Sequence, residues 1–269
     1  MPAQHAGRGL GWKQSGALPG DESAQHLMKA GPIPAAASCR SQILSIVDQG
    51  QLGSCVANAT AQACRASMVR QGAIRPALGS RLWLYWLARA FDHDTANDDG
   101  TYGRNAFMAL TQWGLPPEDL WPYSDDSSKG APFTRMPNVD AFRAAFDQSV
   151  VSAPRYFRIF ETGAARVDAV RAAIAAGHCV VFGTSVSHQF CEQDPGGTII
   201  QPPVGMSLAG GHELTIAEYD QGSFGIVNSW GPNWGQGGWC RFAPDYIAWD
   251  ASDDLWVVEA TPVFGKGEP

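Results

Sequence analysis

The chain has 269 residues, 45% of them hydrophobic and 17% charged, with 26 acidic against 19 basic side chains for a net charge of −7. That is ample chain to bury a core, in one large domain or two intimately packed lobes, and it excludes disorder as the main state. An acidic balance without a basic cluster argues against nucleic acid, and the longest apolar run, Leu82 to Ala88, is far too short to span a bilayer.

Residues 1–33 are rich in Gly, Pro, Ala and polar side chains and show no sustained period, so they read as an irregular extension. Their start lacks the continuous apolar stretch of a secretory signal, and the expected location is cytoplasmic, or outside by a route needing no cleavable signal peptide. Ser54 to about Arg70 reads as a helix opened by a Ser cap, and Ser80 to Phe91 as a second, heavily apolar helix. Asn105 to Trp113 is a third, stopped by Gly114 and the Pro pair beyond it, before a long polar stretch from Trp121 to about Asn138. Val167, Val170 and Ile174 share one face of a helix that Gly177 ends. Short β-type runs follow: residues 179–186, 213–219, 223–230 and 238–242, separated by Gly-rich turns. Helices first and strands afterwards predict an α+β protein.

Six cysteines (39, 55, 64, 179, 191 and 240) are too few for a disulfide scaffold, and none forms a CxxC pair. His178 and Cys179 are neighbours, but on a strand they point to opposite faces, so neither a metal site nor a cofactor is expected. With Cys55 set aside for chemistry the other thiols are expected to be mostly free, Cys64 and Cys240 being buried.

Three segments carry chemistry. The run Asp48 to Cys55 (DQGQLGSC) places a cysteine at the first turn of a helix, where the macrodipole favours the thiolate, the attacking species. Gly50 and Gly53 leave room for a substrate backbone; an isolated cysteine here would otherwise be a structural one. His212 enters a β-type run behind Gly210 and Gly211, and alone it would be a core histidine. Asn228 opens an aromatic, Gly-rich stretch, NSWGPNWGQGGW, 16 residues later, an interval that adjacent antiparallel strands can close.

Together these segments resemble the papain-like (cathepsin-type) cysteine peptidases: a Gln six positions before a Cys on a helix start, a His after a short Gly-containing lead, and Asn-Ser-Trp-Gly followed by Trp-Gly. The resemblance covers about Pro34 to the C-terminus and implies a two-lobed fold, with a helical lobe (about 34–137) carrying the Cys helix and an antiparallel, barrel-like β lobe (about 138–269) carrying His and Asn. It implies a thioester peptidase with Cys55, His212 and Asn228 as catalytic residues, Gln49 with the Cys55 backbone N–H as oxyanion hole, and Trp230 shielding the His–Asn bond. Gly100, Thr101 and Tyr102 fall on the substrate-binding strand, Trp121-Pro122-Tyr123 on its following turn, and Gly211 joins the binding residues. Tyr102 and Gly211 suggest a bulky apolar or aromatic preference two residues before the cleaved bond. Glu213, the next residue along the strand, is expected to face away from the His–Asn pair.

The sequence departs from the family's C-G-[SA]-C-[WY] signature, reading Leu52-Gly53-Ser54-Cys55-Val56, which removes one disulfide and an aromatic beside the cleft. Thirty-three residues are also too few for the family's helical propeptide. The extension nevertheless holds apolar anchors at Leu10, Trp12, Leu18, Leu27 and Met28. It either packs across or beside the groove as an intramolecular inhibitor, or serves as a leader or a brace elsewhere. A related acyl transfer, by an amidase or peptide ligase, uses the same thioester; a non-catalytic binding protein of the same fold would normally have lost Cys or His. Peptide or protein substrates are the expected partners, with no nucleic acid or membrane.

Overall fold

The computed structural model describes residues 7–126, 128, 130–192 and 194–263, so residues 1–6 of the extension and 264–269 of the β lobe lie outside it. The central element is α1 (Cys55–Arg70), buried on almost every side. Five of its buried residues are alanines (57, 59, 61, 63 and 66), whose small side chains let both a sheet and other helices approach closely. Ser54 precedes it but does not cap it: its Oγ contacts the Tyr123 hydroxyl at 2.5 Å and accepts from Asn58 Nδ2 at 3.0 Å. Ser80 does cap α2 (Arg81–Phe91), accepting from Trp83 N at 3.2 Å. Helix α3 (Gly103–Trp113) ends at Gly114, whose φ of 73° is a conformation that suits glycine.

A fourth helix, α4 (Val139–Asp147), caps itself with Asn138 Oδ1 and packs Phe142 edge-on against Trp83 at 4.7 Å. It therefore belongs to the core of Trp83, Tyr85, Phe107 and Leu110, and the helical lobe runs past residue 137 to Asp147. The run of polar and Pro residues just before it masks this nine-residue helix in the sequence.

The β lobe is one eight-stranded sheet. Its path runs β4 (Val151–Arg158), β10 (Ser252–Pro262), β5 (Val180–Ser187), β7 (Leu208–Tyr219), β8 (Phe224–Val227), β9 (Trp239–Phe242) and β6 (Ile199–Ile200). The pairings along it are antiparallel except β6 with β9, and β2 (Ala37–Ser38) adds to β7. Strand β10 lies between the two cores. Leu255 and Val257 point into the β-lobe core, whereas Trp256, Val258 and Ala260 point into the helical one. Being apolar on both faces it lacks the alternation of a half-buried strand, and β4 carries Pro154 and several exposed side chains; neither strand is evident from periodicity. Helix α5 (Gly163–Ala175) packs on the β-lobe core.

Between α5 and β5, His178 is buried, and burial together with the Arg70 charge lowers its pKa to about 4. An unfolded chain binds the proton at higher pH than the folded one, so this residue's contribution to stability fades as pH falls from about 6.5 towards 4. Thermal melts should show a larger loss between pH 6.5 and 4.5 in the native protein than in His178→Gln. Equal losses would remove His178 from the acid sensitivity.

Candidate active site

The loop 48–54 delivers Cys55 to the first position of α1, where it is fully buried against the start of β7. Backbone N–H groups of Glu213, Gly11 and Val56 point at its sulfur. His212 lies on β7 and Asn228 just past the end of β8, with His212 Nε2 2.8 Å from Asn228 Oδ1. The Ser229 N–H donates to the same Oδ1 at 2.8 Å, which fixes the amide with its oxygen towards the imidazole. Nε2 is therefore the protonated nitrogen, and the Nδ1 lone pair is left free; among the described residues it has no hydrogen-bond partner. The Trp230 indole stacks on the imidazole at 4.7 Å and 28°, and His212, Asn228 and Trp230 are all buried.

Gln49 is locked from both ends. Its N–H donates to Ser229 O at 2.8 Å, and its Oε1 accepts from Ser229 Oγ at 2.5 Å. That leaves Nε2 as a donor beside the Cys55 loop, bonded to Leu52 O at 2.8 Å and Gly9 O at 2.9 Å.

The second of these acceptors belongs to the N-terminal extension. Gly9 N donates to Gly50 O, Gly11 N to Gly211 O at 3.1 Å, and Thr101 N to Gly11 O at 2.8 Å. Trp12–Lys13 (β1) pairs in parallel with Thr101–Tyr102 (β3). Gly11 fits because it lacks a side chain: a Cβ there would lie 1.8 Å from Gly53 O. The Trp12 ring, 7% exposed, lies over Gly183, where a Cβ would come within 2.2 Å of the indole. Its Nε1 donates to Asp254 Oδ2 at 3.2 Å. Ser15 binds the same carboxylate through its N–H and hydroxyl, and Arg158 pairs with it at 2.8 Å. Arg104 holds Asp21 at 2.6 Å, fixing the extension further along.

With the extension in this position burial drives Cys55, His212 and Glu213 towards their neutral forms. Burial, reinforced by the Glu213 carboxyl, pushes the Cys55 thiol up to about 12, and burial lowers His212 to about 4 despite the Asn228 hydrogen bond. Burial, with the Asp254 charge adding to it, holds Glu213 well above the usual carboxylate range. Glu213 faces Gly103, away from Asn228, as strand alternation requires.

A family model described as papain family cysteine protease matches residues 33–250. The chain belongs to the papain family of cysteine proteases. This papain-family chain is 28% identical over 239 residues to an uncharacterized peptidase C1-like protein of Acanthamoeba polyphaga mimivirus, covering 85% of this chain and 74% of that one. It superposes on xylellain, a cysteine protease from Xylella fastidiosa, with a TM-score of 0.81 and 26% identity, covering 96% of this chain and 97% of that one. Bromelain from Ananas comosus, solved with the E64 inhibitor, shares the fold at a TM-score of 0.64 and 17% identity, over 86% of this chain and 100% of that one. The two-lobed α+β fold and the cysteine-peptidase class are those the sequence implies.

Of the papain-family residues singled out in the sequence, Gln49, His212, Asn228 and Trp230 are linked by direct contacts or through Ser229, Cys55 opens α1 just beyond the Gln49 loop, and Gly100, Thr101, Tyr102 and Gly211 lie along the docked extension, with Gly100 close against Gly11 O. Tyr123 supports the Cys55 loop through its hydroxyl to Gln49 O at 2.9 Å, whereas Trp121 O accepts from Ser80 Oγ at the start of α2. Sequence reasoning did not find Asp254, Arg158 and Arg104, which bind the extension; an Arg on one strand and an Asp on another leave no local signal. Among the apolar residues of the extension, Trp12 is buried and Leu10, Leu27 and Met28 pack against the β-lobe core, but Leu18 is 51% exposed and anchors nothing.

Proposed function

We propose that this cysteine peptidase works through Cys55 as nucleophile, His212 as acid and base, Asn228 as orienter and Gln49 with the Cys55 N–H as oxyanion hole, and that residues 7–28 act as its intramolecular inhibitor. The observation carrying the catalytic assignment is the orientation of the imidazole. Asn228 binds Nε2, so the unpartnered Nδ1 is available to take the thiol proton. The thiolate attacks the peptide carbonyl to form a tetrahedral intermediate, Gln49 Nε2 and the Cys55 N–H take its oxyanion, and the imidazolium returns the proton to the leaving amine. Water, deprotonated by His212, then hydrolyses the thioester. Gln49→Ala should slow acylation by about 2–4 kcal/mol, a factor of roughly 30 to 10³. An unchanged kcat on an amide substrate in that variant would remove Gln49 from the oxyanion hole.

Inhibition by the extension is supported by what it presents to the sulfur. The extension brings the Gly11 N–H, a hydrogen-bond donor, beside the thiol, and the Gln49 donor is already taken by Gly9 O. The segment thus satisfies the groups that would bind a substrate while offering the sulfur no activated carbonyl. Its high effective concentration compensates for contacts that would be weak in trans.

The Trp12 slot supplies the substrate preference. Gly183 forms one wall, and Ala106, Ala88 and Val56 give it an apolar lining with Asp254 at the far end. A side chain with a large flat ring fills it, and a ring N–H or O–H reaches the Asp254 carboxylate. A peptide library should therefore be cleaved best with Trp or Tyr two residues before the scissile bond. Preference for a small or acidic residue there would contradict the assignment of the slot.

A further inference from the structure

Two cysteines outside the cleft meet where one strand hands over to another. On β7, Glu218 and Tyr219 pair with β8 on one edge, so β2, which pairs with the same two residues, must lie on the other edge, the one that β5 occupies further along. Ser38 faces Glu218 and Val180 faces Ile216, which leaves Cys39, last before the gap from one side, and Cys179, last from the other, against Ala217 between them. Cys39 N donates to Ala217 O at 2.6 Å. The two thiols share a surrounding network: Cys39 Sγ donates to Ile174 O at 3.5 Å, Cys179 Sγ donates to Gln42 Oε1 at 3.7 Å, and Gln42 Nε2 donates to Gly177 O at 2.9 Å. Both are free thiols, buried yet flanked by the exposed Ser38, Arg40 and Ser41.

We propose that Cys39 and Cys179 are a redox pair that closes into a reversible disulfide, clasping the segment that enters the catalytic body to the β lobe. The pair is unequal in the way thiol–disulfide exchange needs. The neighbouring Cys179 thiol and the Arg70 charge lower the Cys39 pKa against its burial, whereas Cys179 is held well above the ordinary thiol range. With oxidised glutathione as the oxidant, the Cys39 thiolate attacks one sulfur of that disulfide and expels one glutathione thiolate. Cys179 gives its proton to solvent and attacks the Cys39 sulfur of the mixed disulfide, expelling the second glutathione. Two protein thiols lose two electrons, and one glutathione disulfide becomes two thiols. The bond closes a loop of about 140 residues, where cross-linking restricts the unfolded chain strongly. It lies on the catalytic-body side of the exposed stretch 29–36, so it leaves the inhibitory segment free to depart.

The test uses the full chain carrying Cys55→Ser, so that the cleft thiol does not react. The protein is incubated with oxidised glutathione, alkylated after unfolding, digested without reductant and mapped by mass spectrometry. A peptide pair joined through Cys39 and Cys179 is expected, with a rise in Tm on the order of 10 °C that dithiothreitol reverses. Adding Cys39→Ala or Cys179→Ala should abolish both the linked peptides and the rise. Separate glutathione adducts without a cross-link, or both residues recovered as alkylated free thiols, would overturn the proposal.

Discussion

Cys55→Ala is expected to lower kcat/KM on a peptide substrate by about 10⁵-fold or more, with the fold retained. The Cys55 sulfur is the proposed nucleophile, at the start of α1 beyond the Gln49 loop, and its removal leaves binding and the Gln49 donor without a nucleophile. His212→Ala should cost nearly as much, because an unactivated thiol in this buried position stays protonated at neutral pH. The two losses should not add: once either member is gone, the other has no proton-transfer partner. Asn228→Ala should be milder, since Trp230 still stacks on the imidazole and holds its plane. Steady-state kinetics on a fluorogenic peptide separates these cases. More than a trace of activity in Cys55→Ala, or a double variant far worse than either single one, would contradict the pair acting as a unit.

Trp12→Ala should act in the opposite direction and raise activity. Truncating a buried Trp costs roughly 3–5 kcal/mol, and here that loss falls on the docked extension, together with its bond to Asp254. A shift of that size in the docking equilibrium corresponds to roughly 10² to 5 × 10³ in the open population, so kcat/KM on a short peptide should rise by at least about 10² before opening ceases to limit it. Gly11→Ala should give a comparable rise by another route, because its methyl group cannot coexist with Gly53 O at 1.8 Å. Deleting residues up to Gly31 should reach the same plateau. Activity unchanged in all three, with each protein folded, would place the inhibition elsewhere.

Much of the cleft is legible in the sequence because its groups cluster in short segments. Gln49 and Cys55 share one loop and helix start, and His212 on β7 and Asn228 just past β8 are 16 residues apart, as a tight antiparallel return allows. What escapes is whatever depends on distant partners. Trp12 is recognisable as an apolar residue in a polar extension, but the slot that receives it is assembled from Gly183, Gly211 and Asp254, on three different strands. Strand β10 is hidden for a related reason: lodged between two cores, it has no polar face to reveal its period. Helix α4 shows the converse, a short amphipathic segment whose placement in the helical lobe follows from the contact between Phe142 and Trp83 rather than from its position after the polar stretch.

In the proposed inhibition the docked extension holds Cys55 and His212 as neutral, water-excluded groups, and its release lets them form the thiolate–imidazolium pair. Alkylation of Cys55 by iodoacetamide, followed against pH in the intact chain and in the chain lacking residues 1–31, tests it most directly. The intact chain should react slowly across the neutral range, consistent with a thiol pushed up to about 12, whereas the truncated chain should react fast well below the ordinary thiol pKa. Identical pH–rate profiles for the two proteins, both folded, would contradict the account.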